Sequence, residues 1–116
     1  MFVVSWQIFP FDVLVCLGNP KKEILKWINR TKYKLSEGEV EAITITGMGR
    51  TIILRGGQTI LWLKNYPKAG SGTLAHEIFH AVEMVTDRMG IKLSQDSDET
   101  FAYMVQYLTN EIVKKL

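Results

Sequence analysis

The chain has two histidines, and they stand four residues apart, at positions 76 and 80, with a glutamate at 77. Four residues is about one helical turn, so on a helix both imidazoles can converge on one metal ion at about 2.0–2.1 Å from each nitrogen. Glu77 follows about 100° further round the helix, and this offset predicts a carboxylate at the rim of the site. From there a carboxylate that is not itself a ligand can take a proton from water and later hand it to a leaving amine. A metal supplies the complementary chemistry, because it lowers the pKa of a bound water from about 15.7 to roughly 7 and polarises a carbonyl.

The short pattern needs a helix to carry it, and the neighbouring residues predict one. Leu74, Ala75, Ile78, Val82, Val85 and Met89 form an apolar stripe on a helical wheel, while His76 and His80 fall on the other side with Thr73, Glu83 and Asp87. His-Glu-x-x-His in that setting is a signature of zinc-dependent proteolysis. The plainer reading, two surface histidines on an amphipathic helix, leaves the glutamate between them without a purpose.

Catalytic zinc commonly takes three protein ligands and a water. With no third histidine and a single cysteine, the third ligand should be a carboxylate, drawn from Glu83, Asp87, Asp96, Asp98, Glu99 and Glu111. Glu83 and Asp87 share the histidines' helix and would approach the ion nearly in line with them. Glu111 lies deep in the final helix, whereas Asp98 and Glu99 stand at its start, after a loop near Gly90 to Ser97 that can fold it back. Phe101, Met104, Val105, Leu108 and Ile112 make that helix's core stripe, and Glu99 shares another face with Ala102, Tyr103 and Gln106, which favours Glu99 over Asp98.

The elements that must position these residues are a sheet in the first half and two long helices in the second. Phe11 to Leu17 reads as a buried strand, and Asn19 and Pro20 as the cap and first residue of a helix over about 20–30. Thr31 to Glu39 is polar, a surface connection, and Val40, Ala42, Ile43 and Ile45 alternate with polar residues as in a strand. Thr51 to Arg55 and Thr59 to Lys64, joined by Gly56-Gly57-Gln58, predict a hairpin. The Asn65 to Gly72 segment, with Pro67, Gly70 and Gly72, is a loop before the histidine helix. The expectation is one α+β domain over 1–116 with a small antiparallel or mixed sheet, an N-terminal helix, the histidine helix and a C-terminal helix.

Composition bounds the alternatives. The 116 residues are 47% hydrophobic and 22% charged, the balance of a globular domain able to fold around one modest core. A net charge of +2, from 14 basic and 12 acidic residues with no long single-sign run, gives no footprint for nucleic acid. Cys16 is alone, so no internal disulfide forms, and its apolar surroundings suit a small buried hydrophobe. Met1 to Leu17 lacks a basic start and is broken by Pro10 and Asp12, which argues against a signal peptide, and no apolar run is long enough for a membrane span. A cytoplasmic protein is expected, with its oligomeric state open.

At this point the residues resemble a family, the zincins of the gluzincin type, in which a glutamate from a following helix joins the two motif histidines. Ala75-His76-Glu77-Ile78-Phe79-His80-Ala81-Val82 is similar to the thermolysin-like active-site helix, and Asp98-Glu99-Thr100-Phe101-Ala102-Tyr103 looks like the family's Asn-Glu-x-x-Ser-Asp segment. By length the chain looks most like minigluzincins and small phage-encoded metallopeptidase-like proteins, over about its last 60 residues. The resemblance implies one zinc held by His76, His80 and Glu99, Glu77 as general base and acid, and a polypeptide substrate. It also implies a substrate-binding edge strand at Thr59 to Lys64, with Ile60, Trp62 and Lys64 lining it. Tyr103 stands where the family often has an aspartate that orients a histidine, and the oxyanion role could fall to Tyr103, Tyr107 or a backbone amide.

Three readings compete: a zinc peptidase; a zinc-binding or interaction module with little or no activity; and a metallohydrolase acting on a non-peptide bond or a mobile-element regulator that cleaves one specific protein. An uncoordinated carboxylate between the ligands has a use in catalysis and none in a purely structural site.

Overall fold

The computed structural model describes residues 1–31, 33–66 and 70–116. The chain runs β1 (Phe2–Ser5), β2 (Asp12–Leu17), α1 (Lys21–Asn29), α2 (Glu37–Ala42), β3 (Gly49–Ile53), β4 (Thr59–Leu63), α3 (Gly70–Arg88) and α4 (Asp98–Val113). The class is α+β, with the strands in one mixed sheet of order β1-β2-β4-β3. β1 pairs antiparallel with β2, β2 parallel with β4, and β3 antiparallel with β4.

Strand alternation divides the core in two. Val13, Val15, Leu61 and Leu63 face α3 and α4, where they meet Leu74, Ile78, Ala81, Val82, Val85, Phe101, Met104, Leu108 and Ile112. Leu14, Cys16, Ile60 and Trp62 face the other way, onto Ile24 and Ile28 of α1 and onto Ile43 and Leu54. Helices therefore cover both faces of the sheet, and burying each large aliphatic side chain contributes about 1.5–3 kcal/mol.

Most expected elements are present, with four differences. The N-terminal apolar stretch holds a strand of its own, β1, whose Val4 is buried against the α3–α4 side. Pro20, expected as the first helical residue, occupies the cap position of α1, while the Asn19 amide oxygen accepts from the Leu17 backbone N–H at 2.9 Å.

The third difference corrects the strand read at Val40, Ala42, Ile43 and Ile45. Val40 and Ala42 lie in α2, Ile43 is its C-cap and Ile45 follows in irregular backbone, and only Ile43 of the four is fully buried. A capping box decides it. The Ser36 hydroxyl accepts from the Glu39 N–H at 3.2 Å, and the Ser36 N–H donates to Glu39 Oε1 at 3.2 Å, so two amides otherwise without helical partners are satisfied. Glu39 Oε2 also accepts from the Tyr33 hydroxyl at 2.6 Å and from the Arg55 N–H at 3.1 Å, which ties α2 to the hairpin.

The Gly56-Gly57-Gln58 turn closes that hairpin as expected, with Gly57 at φ +98° and its Cα against the Phe11 ring, where a Cβ would meet the ring at 2.4 Å. The histidine helix begins at Gly70, inside the segment read as loop, and positions 67–69 of that segment lie outside the described residues. Among the described residues no helix is long and apolar enough to cross a membrane.

Ser36→Ala removes half of the capping box from a short helix with no buried residue of its own. The expected loss is about 1 kcal/mol of unfolding free energy, read from the urea midpoint at unchanged slope. An unchanged midpoint would show that α2 is held by Glu39 alone.

Candidate metal centre

α3 lies on the sheet through Leu74, Ile78, Ala81, Val82 and Val85. The buried face is turned slightly from the expected stripe, since Ala75 and Met89 are exposed while Ala81 and Glu77 are buried. That orientation leaves His76 exposed and His80 half-buried on the outward side. Their Nε2 atoms are 3.0 Å apart, with ring centroids at 4.7 Å and planes at 74°. Two donors each about 2.05 Å from one tetrahedral zinc stand about 3.3 Å apart, so the pair is within a few tenths of an ångström of the spacing one ion requires. Two imidazole nitrogens at this spacing suit zinc, and without an ion the same 3.0 Å contact is a hydrogen bond between the rings.

Glu77 is not at the rim. It is 5% exposed and turned toward the sheet, where the Thr51 hydroxyl of β3 lies 2.8 Å from Oε1 and 3.1 Å from the Glu77 carbonyl oxygen. Gly49, two residues earlier on the same face of β3, makes room for it: a Cβ there would lie 2.9 Å from both Cγ and Oε2 of Glu77 and 3.0 Å from the Thr73 methyl. Met48, Gly49, Gly72, Thr73, His76 and Glu77 line an open cleft of about 340 Å³. A more enclosed apolar cavity of about 250 Å³ lies on the α1 side of the sheet, walled by Leu14, Trp27, Ile28, Tyr33 and Ile60, away from both histidines.

The other expected site residues are placed differently. Glu99 and Asp98 are exposed in the first turn of α4. Among the described residues no three His, Cys, Asp or Glu side chains form a group able to hold an ion, so the histidine pair is brought together and Glu99 is not joined to it. Glu83 and Asp87 are exposed on α3, and Glu111 pairs with Lys114 at 2.9 Å. Tyr103 is 66% exposed and makes no hydrogen bond to either histidine.

Tyr107 is occupied elsewhere, stacked on Trp6 at 5.9 Å and donating to the Ser5 carbonyl, and desolvation raises its phenol above the usual value. Cys16 is buried on the α1 face of the sheet. Desolvation pushes its thiol up to about 12, so it stays protonated and offers no thiolate to a metal.

The expected substrate strand needs correction. β4 is paired on both sides, so its backbone groups are used within the sheet, and of the two edge strands, β1 and β3, it is β3 that lies against the histidine helix. Ile60 and Trp62 are 1% and 6% exposed on the α1 face, with the indole N–H donating to the Asn19 carbonyl at 2.9 Å, and exposed Lys64 stands just past the strand. Thr51 and Gly49 were not legible as site residues, because the contact with Glu77 spans 26 positions and has no local signature.

Comparison with protein-family models, curated proteins and solved structures returned no match.

Gly49→Ala must displace Glu77 or α3, since its Cβ would meet the side chains of Glu77 and Thr73, one turn apart on that helix. The expected cost is about 1–3 kcal/mol, measured as a fall in the denaturation midpoint. No loss of stability would mean that the Glu77 side chain turns aside freely.

Proposed function

We propose that this chain is a zinc-dependent peptidase acting on polypeptides at the cleft beside His76, Glu77 and His80. The observation that carries the reading is the convergence of the two Nε2 atoms to 3.0 Å beside a carboxylate one position along the same helix. His76 and His80 would hold the ion as neutral imidazoles, and Glu99 is the proposed third ligand, on a helix that packs against α3. Zinc, when bound, would polarise the scissile carbonyl and make water attack feasible near neutral pH.

Glu77 does the proton work. Its carboxylate takes the proton that the attacking water loses as the C–O bond forms, then gives it to the departing nitrogen as the C–N bond breaks. The outer edge of β3, on which no strand pairs among the described residues, would receive the peptide backbone by strand addition. The unpaired, protonated thiol of Cys16 suits the reducing interior of a cell, where we place the protein.

The test is incubation of zinc-loaded protein with a diverse peptide mixture, with and without a chelator, alongside metal analysis. Expected are one zinc per chain and chelator-sensitive cleavage; zinc binding without cleavage would leave a binding module instead. Glu77→Gln should keep the zinc and lower turnover by about 10²–10⁴-fold, and unchanged turnover would remove it as general base. Glu99→Ala should weaken zinc binding. If Asp98→Ala does so instead, the third ligand is the neighbouring residue.

A further inference from the structure

We infer that Thr51 is the positioning residue of the Glu77 carboxylate, its hydroxyl holding Oε1 from the edge strand while Oε2 is left against Gly49 at the wall of the cleft. The inference rests on the proposed peptidase reading for its catalytic meaning, and on the geometry alone for the contact. Thr51 is 8% exposed and Glu77 5%, so neither group is steadied by bulk water. The hydroxyl carries one hydrogen and has two oxygens of Glu77 in reach, the carboxylate at 2.8 Å and the backbone carbonyl at 3.1 Å. The carboxylate is the nearer acceptor and, when ionised, the stronger one.

Both oxygens of the carboxylate are therefore placed from β3. Oε1 is held by the hydroxyl, and Oε2 packs where a glycine leaves space, since a Cβ at position 49 would come within 2.9 Å of it. Gly49 and Thr51 are two apart and so share a face of the strand, with Gly49 also lining the cleft. A glutamate side chain has three rotatable bonds, and a group that transfers protons works only when held within reach of them. The strand on which a peptide would lie thus also sets the direction of the proton-transferring group, which couples substrate docking to alignment of the base.

Thr51→Val keeps the side chain's shape and deletes the hydroxyl, and Thr51→Ser keeps the hydroxyl. Each is compared with the wild-type protein at one fixed pH. Thr51→Val should retain one zinc per chain and lower kcat at least about tenfold with KM within about twofold, and Thr51→Ser should recover most of that loss. Independently of hydrolysis, the side-chain carboxyl ¹³C resonance of Glu77, assigned by its absence in Glu77→Gln, should move in Thr51→Val and return in Thr51→Ser.

Wild-type kcat in Thr51→Val, or an unmoved resonance, overturns the inference. If wild-type protein cleaves no peptide, the peptidase reading falls and the resonance alone decides whether Thr51 holds the carboxylate. Should Thr51→Val fail to fold, Thr51→Ala is read by the same two measurements.

Discussion

Leu74, Ile78, Ala81, Val82 and Val85 must leave water together, and the apolar surface that receives them is the Leu61 and Leu63 face of the sheet with Phe101, Met104 and Leu108 of α4. Everything at the histidines follows from that burial. A helix has no freedom to turn about its axis once such a face is committed, because the Leu, Ile and Val side chains among them each contribute about 1.5–3 kcal/mol. With 74, 78 and 82 inward, 76 and 80 are outward and one turn apart, and their rings meet at 3.0 Å. The pair is thus a consequence of packing on the opposite side of the same helix.

Position 77 is the exception that this rotation creates. It adjoins the inward residue 78, so its carboxylate is carried into the seam between α3 and β3, where a buried polar group costs about 1–3 kcal/mol if left unpartnered. The strand answers with two residues of opposite character on one face. Thr51 supplies a hydroxyl to Oε1, and Gly49 withdraws its side chain altogether. A carboxylate sitting between them is held at one oxygen and confined at the other, which is unlike the rim group that helical spacing alone suggests.

Local rules carried the sequence reading a long way. Helical periodicity placed α1, α3 and α4, the glycine-rich turn placed the hairpin, and the pairing of two histidines at one helical turn was plain from their numbers. Val40 to Ile45 misled because alternation over six residues is weak evidence, while Ser36 and Glu39 already spelled a capping box three residues apart. Thr51 and Gly49 were illegible for a different reason: they act on Glu77 only after the hairpin and α3 have packed, and nothing in a strand of ordinary composition marks which residue will meet a carboxylate 26 positions away.

The same physics explains why the strand beside the site is β3 and not β4. Thr59 to Leu63 is buried at every position, as expected of a strand with neighbours on both sides and helices on both faces. Its backbone groups are already paired on both sides, which leaves none of them for the addition of a further strand. Gly49 to Ile53 is the less hydrophobic partner, with exposed Arg50 between Gly49 and Thr51 and an unpaired edge within the sheet. The residues that meet Glu77 therefore come from the strand whose apolar pattern is the weaker of the two.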